Sequence, residues 1–536
     1  MHARTPKLPV RQLFILSICR FAEPIALTSY LPYLPEMIES VGVPKAEVAK
    51  WAGLTTAISS FAQAFMAVYW GTASDRFGRK PIILLGLTFT MIFSLAFGLS
   101  KSLAMLVSCR GMIGFMNGNV GIIRTAVAEM VTDKELQPRA FSVMPMVWTV
   151  GSIFGPAFGG SLSRPSEKYP GVFGRSKFFQ EYPFFLPNLV SGVFFVIGIS
   201  TGFLFLHETL AAKQGHRDPG IVLGRVLTRS CTRRREKASL IESDDERTPL
   251  LGENHPAKSP QDQPEVKKHG WREVLSPQST LVLLAYSLMS VHTMAFESML
   301  PVFLHNPPQN IQDNPNVQLP FKFVGGFGMG KSMLSSTPRW RSLTFPDAQE
   351  IGMFYTLTGI IGMVMQFYVF PACATRFGVI NCVKATSFVF PILYLVTPYI
   401  ALVPESMRNV TVFFVVLTKL TASIFNFPSI TILLTNSASS LSILGTLNGV
   451  ATSVSAVGRA AGPALLGPVF SLGVKMGYVI LPWWLLACVA CLAAIPVPFI
   501  VEGEGFQVQA AALETDPEPI AVESQTVKHA DSRARE

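Results

Sequence analysis

Long apolar stretches separated by short polar intervals set the layout of this chain. Twelve of them, at about 12–35, 50–70, 81–99, 103–130, 140–162, 184–206, 278–304, 350–371, 381–402, 410–435, 443–470 and 478–501, approach or exceed the ~20 residues that carry a helix across a bilayer. The pattern predicts an all-α polytopic membrane protein. Residues 1–11 form a short terminus, 12–206 a first six-helix unit and 278–501 a second. Between them, 207–277 is rich in charge, Pro and Ser and has almost no apolar periodicity, so it reads as a disordered linker. Residues 305–349 make an unusually long outer or lumenal loop, and 502–536 a tail.

Composition agrees. The chain is 49% hydrophobic and 15% charged, against about 25% charged for soluble domains. Its net charge of +10 is concentrated in loops, which fits topology and contact with anionic lipid rather than nucleic acid. Arg76/Arg79/Lys80, Lys134/Arg139, the 207–277 segment, Arg376/Lys384 and the tail all fall on the side of the N-terminus. The positive-inside rule makes that side the cytosol. Arg4, Lys7 and Arg11 run into the first span with no small-residue cleavage site. Of seven cysteines, Cys488 and Cys491 form a C-x-x-C inside an apolar helix, where they read as small packing residues. The sequon at Asn409 lies too close to a span to be used. The sequence shows no nucleophile triad, metal-ligand cluster or phosphate-binding loop, so neither enzymatic activity nor a cofactor is expected.

The interval between spans 2 and 3 is the most informative. Tyr69-Trp70-Gly71-Thr72-Ala73-Ser74-Asp75-Arg76-Phe77-Gly78-Arg79-Lys80 reads as a tight polar connection. Gly71 and Gly78 permit close backbone approach or positive φ, and Asp75 can cap a helix or pair with the cations. The stretch resembles the G-x-x-x-D-R-x-G-R-K loop of the major facilitator superfamily, and with Trp70 the form found in zinc-induced facilitator-like transporters. Span 5 adds Ser142, then Gly151-x-x-x-Gly155-Pro156-x-x-Gly159-Gly160. Glycines four apart make a flat packing face, and Pro156 frees a carbonyl and kinks the helix. The spacing is similar to the antiporter signature of that group and of twelve-span drug:proton antiporters. Leu206-His207-Glu208-Thr209-Leu210 partly resembles the group's P-E-T-L-H loop, with its Pro and final His replaced.

An internal repeat supports two pseudo-symmetric six-helix bundles. Ala26, Ser29 and Leu31-Pro32 match Ala295, Ser298 and Leu300-Pro301. Arg76-Phe77-Gly78 matches Arg376-Phe377-Gly378, and Gly151/Gly155-Pro156 matches Gly458/Gly462-Pro463. The second copy has Thr375, Val379 and Ile380 in place of Asp75, Arg79 and Lys80, so the charged device is one-sided.

Ionisable residues inside spans are functional candidates by default. Glu23 lies ~18 Å into span 1 at 1.5 Å per residue, near mid-membrane. Arg20, three residues earlier, shares its helix face. The repeat places His292 of span 7 at the equivalent depth. Glu23 is either a proton carrier or a static partner of Arg20, and His292 either a second carrier or a hydrogen-bonded core residue. Arg110 resembles the Arg of the superfamily's span-4 R-x-x-x-G motif and is expected within reach of Glu23's level; its repeat partner is Lys419. Glu129 is expected to accept from the span 2–3 arginines or to be solvated. Asn117, Trp148, Tyr286, Phe296, Lys419 and Asn426 are cavity-lining candidates, with packing the alternative.

The resemblance implies the major facilitator fold, rocking about a central site lined by spans 1, 4, 7 and 10. It implies secondary active transport of a small organic molecule by a monomer: proton-coupled export with Asp75 and its cations latching the inner face, gradient-independent facilitation, or reception without transport. With few fixed charges expected in the cavity, an amphipathic substrate is anticipated. Glu246, Leu250 and Leu251 match an acidic dileucine pattern that would recruit a sorting adaptor to a vacuolar or lysosomal membrane; otherwise the match is chance, and the plasma membrane remains the alternative.

Overall fold

The computed structural model describes residues 8–213, 218–228, 271–305, 317–323 and 357–503. These residues are overwhelmingly helical, with only isolated bridges at Gln318–Lys322 and Phe323–Tyr478. In chain order the spans are Val10–Ser29 continued by Leu34–Ser40, Lys45–Phe77, Arg79–Gly98, Leu103–Met116 with Asn119–Met130, Gln137–Leu162 and Phe185–Phe205 in the first half. Pro277–His305, Leu357–Phe377, Val379–Leu402, Glu405–Asn436, Leu444–Met476 and Ile480–Phe499 make up the second. We call them spans 1 to 12.

Among the described residues, nine helices are long and apolar enough to cross a membrane, ten if the first pair, bent by 57°, counts as one span. The two other expected spans differ for a physical reason. Span 2 is long but studded with polar residues such as Thr55, Ser59 and Gln63. Span 4 is broken at Asn117–Gly118, where neither residue is helical. Both line the junction between the halves.

Two expectations are revised. The residues between spans 2 and 3 are not a loop: helix runs through Asp75 to Phe77, and Gly78 alone reverses the chain, at φ 107°. Gly378 does the same at φ 84°. Most residue types rarely adopt such backbone, which explains glycine at both points. Second, the linker is not featureless. Within 207–277, residues 207–213 pack beneath span 3, and Pro219–Thr228 is a short apolar helix whose Gly220 and Gly224 lie against the carbonyls of Phe203 and Leu204. Apart from these revisions, span 8 carries a π-helical turn at Met365–Val369. The sorting residues Glu246, Leu250 and Leu251 lie outside the described residues, as does most of 305–349.

The glycine motif of span 5 sets the packing of the first half. A side chain at Gly151 would strike Pro24, and one at Gly155 would sit 2.9 Å from the Ile25 carbonyl. Gly159 faces the Ser29 backbone, whereas Gly160 has only Pro32 at 3.7 Å. Spans 1 and 5 therefore touch backbone to backbone. The second half repeats this: Gly458 meets Ser287 and Ser290, and Gly462 meets Val291 and Ala295 of span 7. The sequence repeat thus corresponds to a repeated helix pair. Ser142 of the motif bonds only to the Arg139 carbonyl, 2.8 Å away, as helix serines do.

Candidate functional site

Two polar assemblies lie where the halves meet. The first is on the Gly78 side. Asp75, on the last turn of span 2, accepts bonds from the Gly445 and Thr446 amides at 3.0 and 2.7 Å and from the Thr446 hydroxyl at 2.6 Å. These are the first amides of span 11, so a carboxylate of one half caps a helix N-terminus of the other. Arg79 holds Asp75 from behind at 2.6 Å and Glu129 at 2.8 Å. Gly71 and Gly445 let spans 2 and 11 come close enough for this contact. Gln137 and Asn436 exchange two amide bonds of 3.0 and 2.9 Å between spans 5 and 10, and Asn448 donates to Thr125 at 3.0 Å between spans 11 and 4. On this side the halves are locked together. Arg76 takes no part; it is exposed and lies over Phe77, just as Arg376 lies over Phe377.

Glu208 supports the lock. Its carboxylate accepts the Arg79 and Lys80 amides at 2.9 and 3.1 Å, capping span 3, and the Thr209 and Leu210 amides at 3.0 Å each. Thr209 donates to Glu129 at 2.6 Å. A helix cap therefore accounts for Glu208 in the His-Glu-Thr-Leu stretch. Lys80 pairs with Asp218 at 2.6 Å. Burial pushes the Asp218 carboxyl up, but the Lys80 bond and the Gly220 and Ile221 amides outweigh it and hold the group below its ordinary value.

The second assembly is central. Arg20 and Glu23 form a buried pair at 2.7 Å, and Glu23 Oε1 has no hydrogen-bond partner among the described residues. Arg20 lies 5.9 Å from the Trp148 ring. The break in span 4 frees two carbonyls: Trp70 Nε1 donates to Phe115 O at 2.9 Å and Gln63 Nε2 to Asn117 O at 3.1 Å. Gln63 then accepts from Arg459 Nη2 at 2.8 Å, across the interface, while Arg459 Nη1 donates to Ser455 at 2.7 Å. Ser290 donates to Ser455 at 3.1 Å. Arg124, nearly two turns past the break, stands 5.6 Å from the Tyr286 ring. Arg20 lies within electrostatic range of Glu23 and Arg124, and Arg459 within range of Arg124, Arg20 and Glu23.

Of the predicted cavity residues, Asn117, Trp148 and Tyr286 belong to this assembly. Asn426, Phe296 and Lys419 do not. Asn426 donates to Thr386 at 2.7 Å inside the second bundle, Phe296 packs on Tyr394 and Trp483, and Lys419 pairs with Glu297. His292 is likewise turned inward, 2.8 Å from the Tyr394 hydroxyl, and does not meet Glu23. Arg110 stacks 3.6 Å over Tyr30 with Phe97 behind, rather than reaching Glu23. The expectation of few fixed charges is also revised, because Arg124 and Arg459 stand in this assembly. Both are cations deep inside apolar stretches, the same signal that marked Glu23.

Two bundles of repeated helix pairs, joined by a polar junction and one charged lock, define a transporter of the major facilitator type. The family model for the Major Facilitator Superfamily matches residues 16–463, and the chain belongs to that family. It is 36% identical over 527 residues to the major facilitator superfamily multidrug transporter mfsB of Aspergillus fumigatus, covering 92% of this chain and 84% of that protein. It is 25% identical to the ZINC INDUCED FACILITATOR-LIKE 1 protein of Arabidopsis thaliana, covering 92% of each. Among solved structures, the human organic anion transporter MFSD10 superimposes with a TM-score of 0.61 at 18% identity, over 92% of this chain and all of that one.

Proposed function

We propose that this protein moves a small organic molecule out of the cytosol by alternating access, in exchange for protons. One observation carries the reading: a carboxylate, Glu23, is buried at the junction with one oxygen unsatisfied and a single cationic partner three residues away. An ionisable group inside a membrane protein is a functional candidate by default, and one at the junction of two moving halves is placed to exchange a proton with either side. Neutralising Glu23 would release Arg20 and alter the balance between the halves. The Asp75 lock would hold the cytosolic side closed while the site is served from outside. The export direction rests on the likeness of the span-5 motif to antiporters, supported by the multidrug transporter among the relatives. Vacuolar or plasma membranes, with both termini cytosolic, are the settings we assign.

The test is transport by reconstituted protein under an imposed pH gradient, with substrates chosen by comparing metabolites of cells with and without the gene. Flux should follow the gradient in the wild type and ignore it in Glu23→Gln. Flux that ignores the gradient in both would remove the coupling. A second reading has its own observation: Glu23 is only 1% exposed and already paired, as a static structural group would be. The protein would then be a facilitator, and counterflow would survive Glu23→Gln undiminished.

A further inference from the structure

The junction holds more positive charge than it needs. Arg20 is matched by Glu23. Arg124 and Arg459 have no carboxylate partner among the described residues. Arg459 is instead fixed by neutral acceptors, the Gln63 amide and the Ser455 hydroxyl. Arg124 stands beside the Tyr286 ring. Guanidinium groups within a membrane protein are costly unless paired, yet two are oriented here without neutralisation. They come from opposite halves, spans 4 and 11, so an anion between them would bridge the bundles.

Resting on the transport reading above, we infer that this junction is the binding site for the negatively charged group of an organic anion, held between Arg124 and Arg459. A guanidinium offers paired donors suited to a carboxylate, sulfonate or phosphate. Each guanidinium is oriented beforehand by its neutral partners, which lowers the cost of binding. The rest of the ligand would be aromatic or apolar. Trp148, 39% exposed, is the aromatic surface it would meet, while Tyr286 is itself buried against Phe427, with ring centroids 6.3 Å apart. Glu23 would then tune the site: with Glu23 ionised, Arg20 is occupied; with Glu23 protonated, Arg20 becomes a third cation. Anion and proton at this point favour each other by charge, so any exchange of the two must act through the conformation of the halves.

Purified protein in neutral detergent is titrated with fluorescein, an aromatic dianion, and with rhodamine 6G, an aromatic cation of similar size, followed by fluorescence anisotropy. Fluorescein should bind saturably, and rhodamine 6G should neither bind nor displace it. Arg459→Gln and Arg124→Gln should each weaken fluorescein binding at least tenfold, while Arg459→Lys, which keeps the charge, should lose less. Thermal unfolding and gel filtration confirm that each variant is folded, and if Arg459→Gln is not, Arg124→Gln and Arg459→Lys decide. A soluble aromatic carboxylate should displace the dye and phosphatidylglycerol should not; displacement by the lipid alone would overturn the assignment as a substrate site. Preference for the cation, or unchanged binding in folded Arg124→Gln, would also overturn it. Binding is measured without a gradient. An anion site with no gradient-driven flux would therefore sink the coupling and leave this inference standing, and the reverse pattern would do the opposite.

Discussion

Replacing Asp75 by Asn should unlock the Gly78 side without unfolding either bundle. The wild-type carboxylate accepts three bonds from the start of span 11, at 3.0, 2.7 and 2.6 Å. Asn keeps one oxygen, and its amide group turns a donor toward donors. Hydrogen bonds to charged groups contribute about 1.5–3 kcal/mol each, and an anion at a helix N-terminus about 0.3–2 kcal/mol. These terms are not additive, and one oxygen survives, so the closed arrangement should lose about 2–4 kcal/mol, a shift of about 30- to 700-fold toward open. Arg79 stays anchored on Glu129, which keeps the first bundle intact. The assay is alkylation of Ser453→Cys, with the native cysteines replaced. Ser453 sits between spans 11 and 2, where its hydroxyl bonds to the Ala64 carbonyl. Its labelling should accelerate by the stated range when Asp75→Asn is added, with little change in thermal stability. An unchanged labelling rate would refute the claim that Asp75 holds the halves together.

Three further outcomes follow from the packing and charges. Gly155→Ala should lower the melting temperature, since its new methyl meets span 1 backbone at 2.9 and 3.2 Å and overpacking costs about 1–3 kcal/mol; Gly160→Ala, with 3.7 Å of room, should be near neutral. Glu208→Ala strips four amides of their acceptor and should cost about 1–2 kcal/mol as a lost cap, read by thermal unfolding, with Glu208→Gln recovering part. Burial, then the nearby Lys80 charge, pushes the His207 imidazole below its ordinary 6.5. The unfolded chain therefore binds the proton more readily, so stability should fall as pH drops below about 6.5. Melting curves of His207→Gln should lack that portion of the pH dependence.

Much of the fold was legible because membrane crossing imposes length and apolarity on each helix, and because Gly78/Gly378 and Gly151/Gly458 recur at matching positions. The span 1–5 and 7–11 contacts follow from those glycines. Spans 2 and 4 were harder to delimit. Asp75 and Arg76 look like loop residues, yet span 2 continues through them because a single glycine suffices to turn the chain. The span-4 break carries no proline; it persists because Trp70 and Gln63 from span 2 satisfy the carbonyls it frees, a long-range compensation no local pattern reveals. Arg20–Glu23 and Arg79–Glu129 were readable from spacing or from ends that must meet. Which way a buried side chain turns was not. Equivalent depth in the repeat marked His292 and Lys419, but one is turned onto Tyr394 and the other onto Glu297. Arg124 and Arg459 were visible as charges inside spans, and only their convergence needed three dimensions.

The central claim is that a proton on Glu23 biases the two halves. It can be measured without knowing the substrate. Spin labels on spans 2 and 11 at the Gly78 side report the separation of the halves as pH is varied. The account predicts that the open fraction changes with pH in the wild type and that Glu23→Gln removes most of this change, leaving only what His207 and the carboxylates of the lock contribute. An identical titration in both proteins would contradict it.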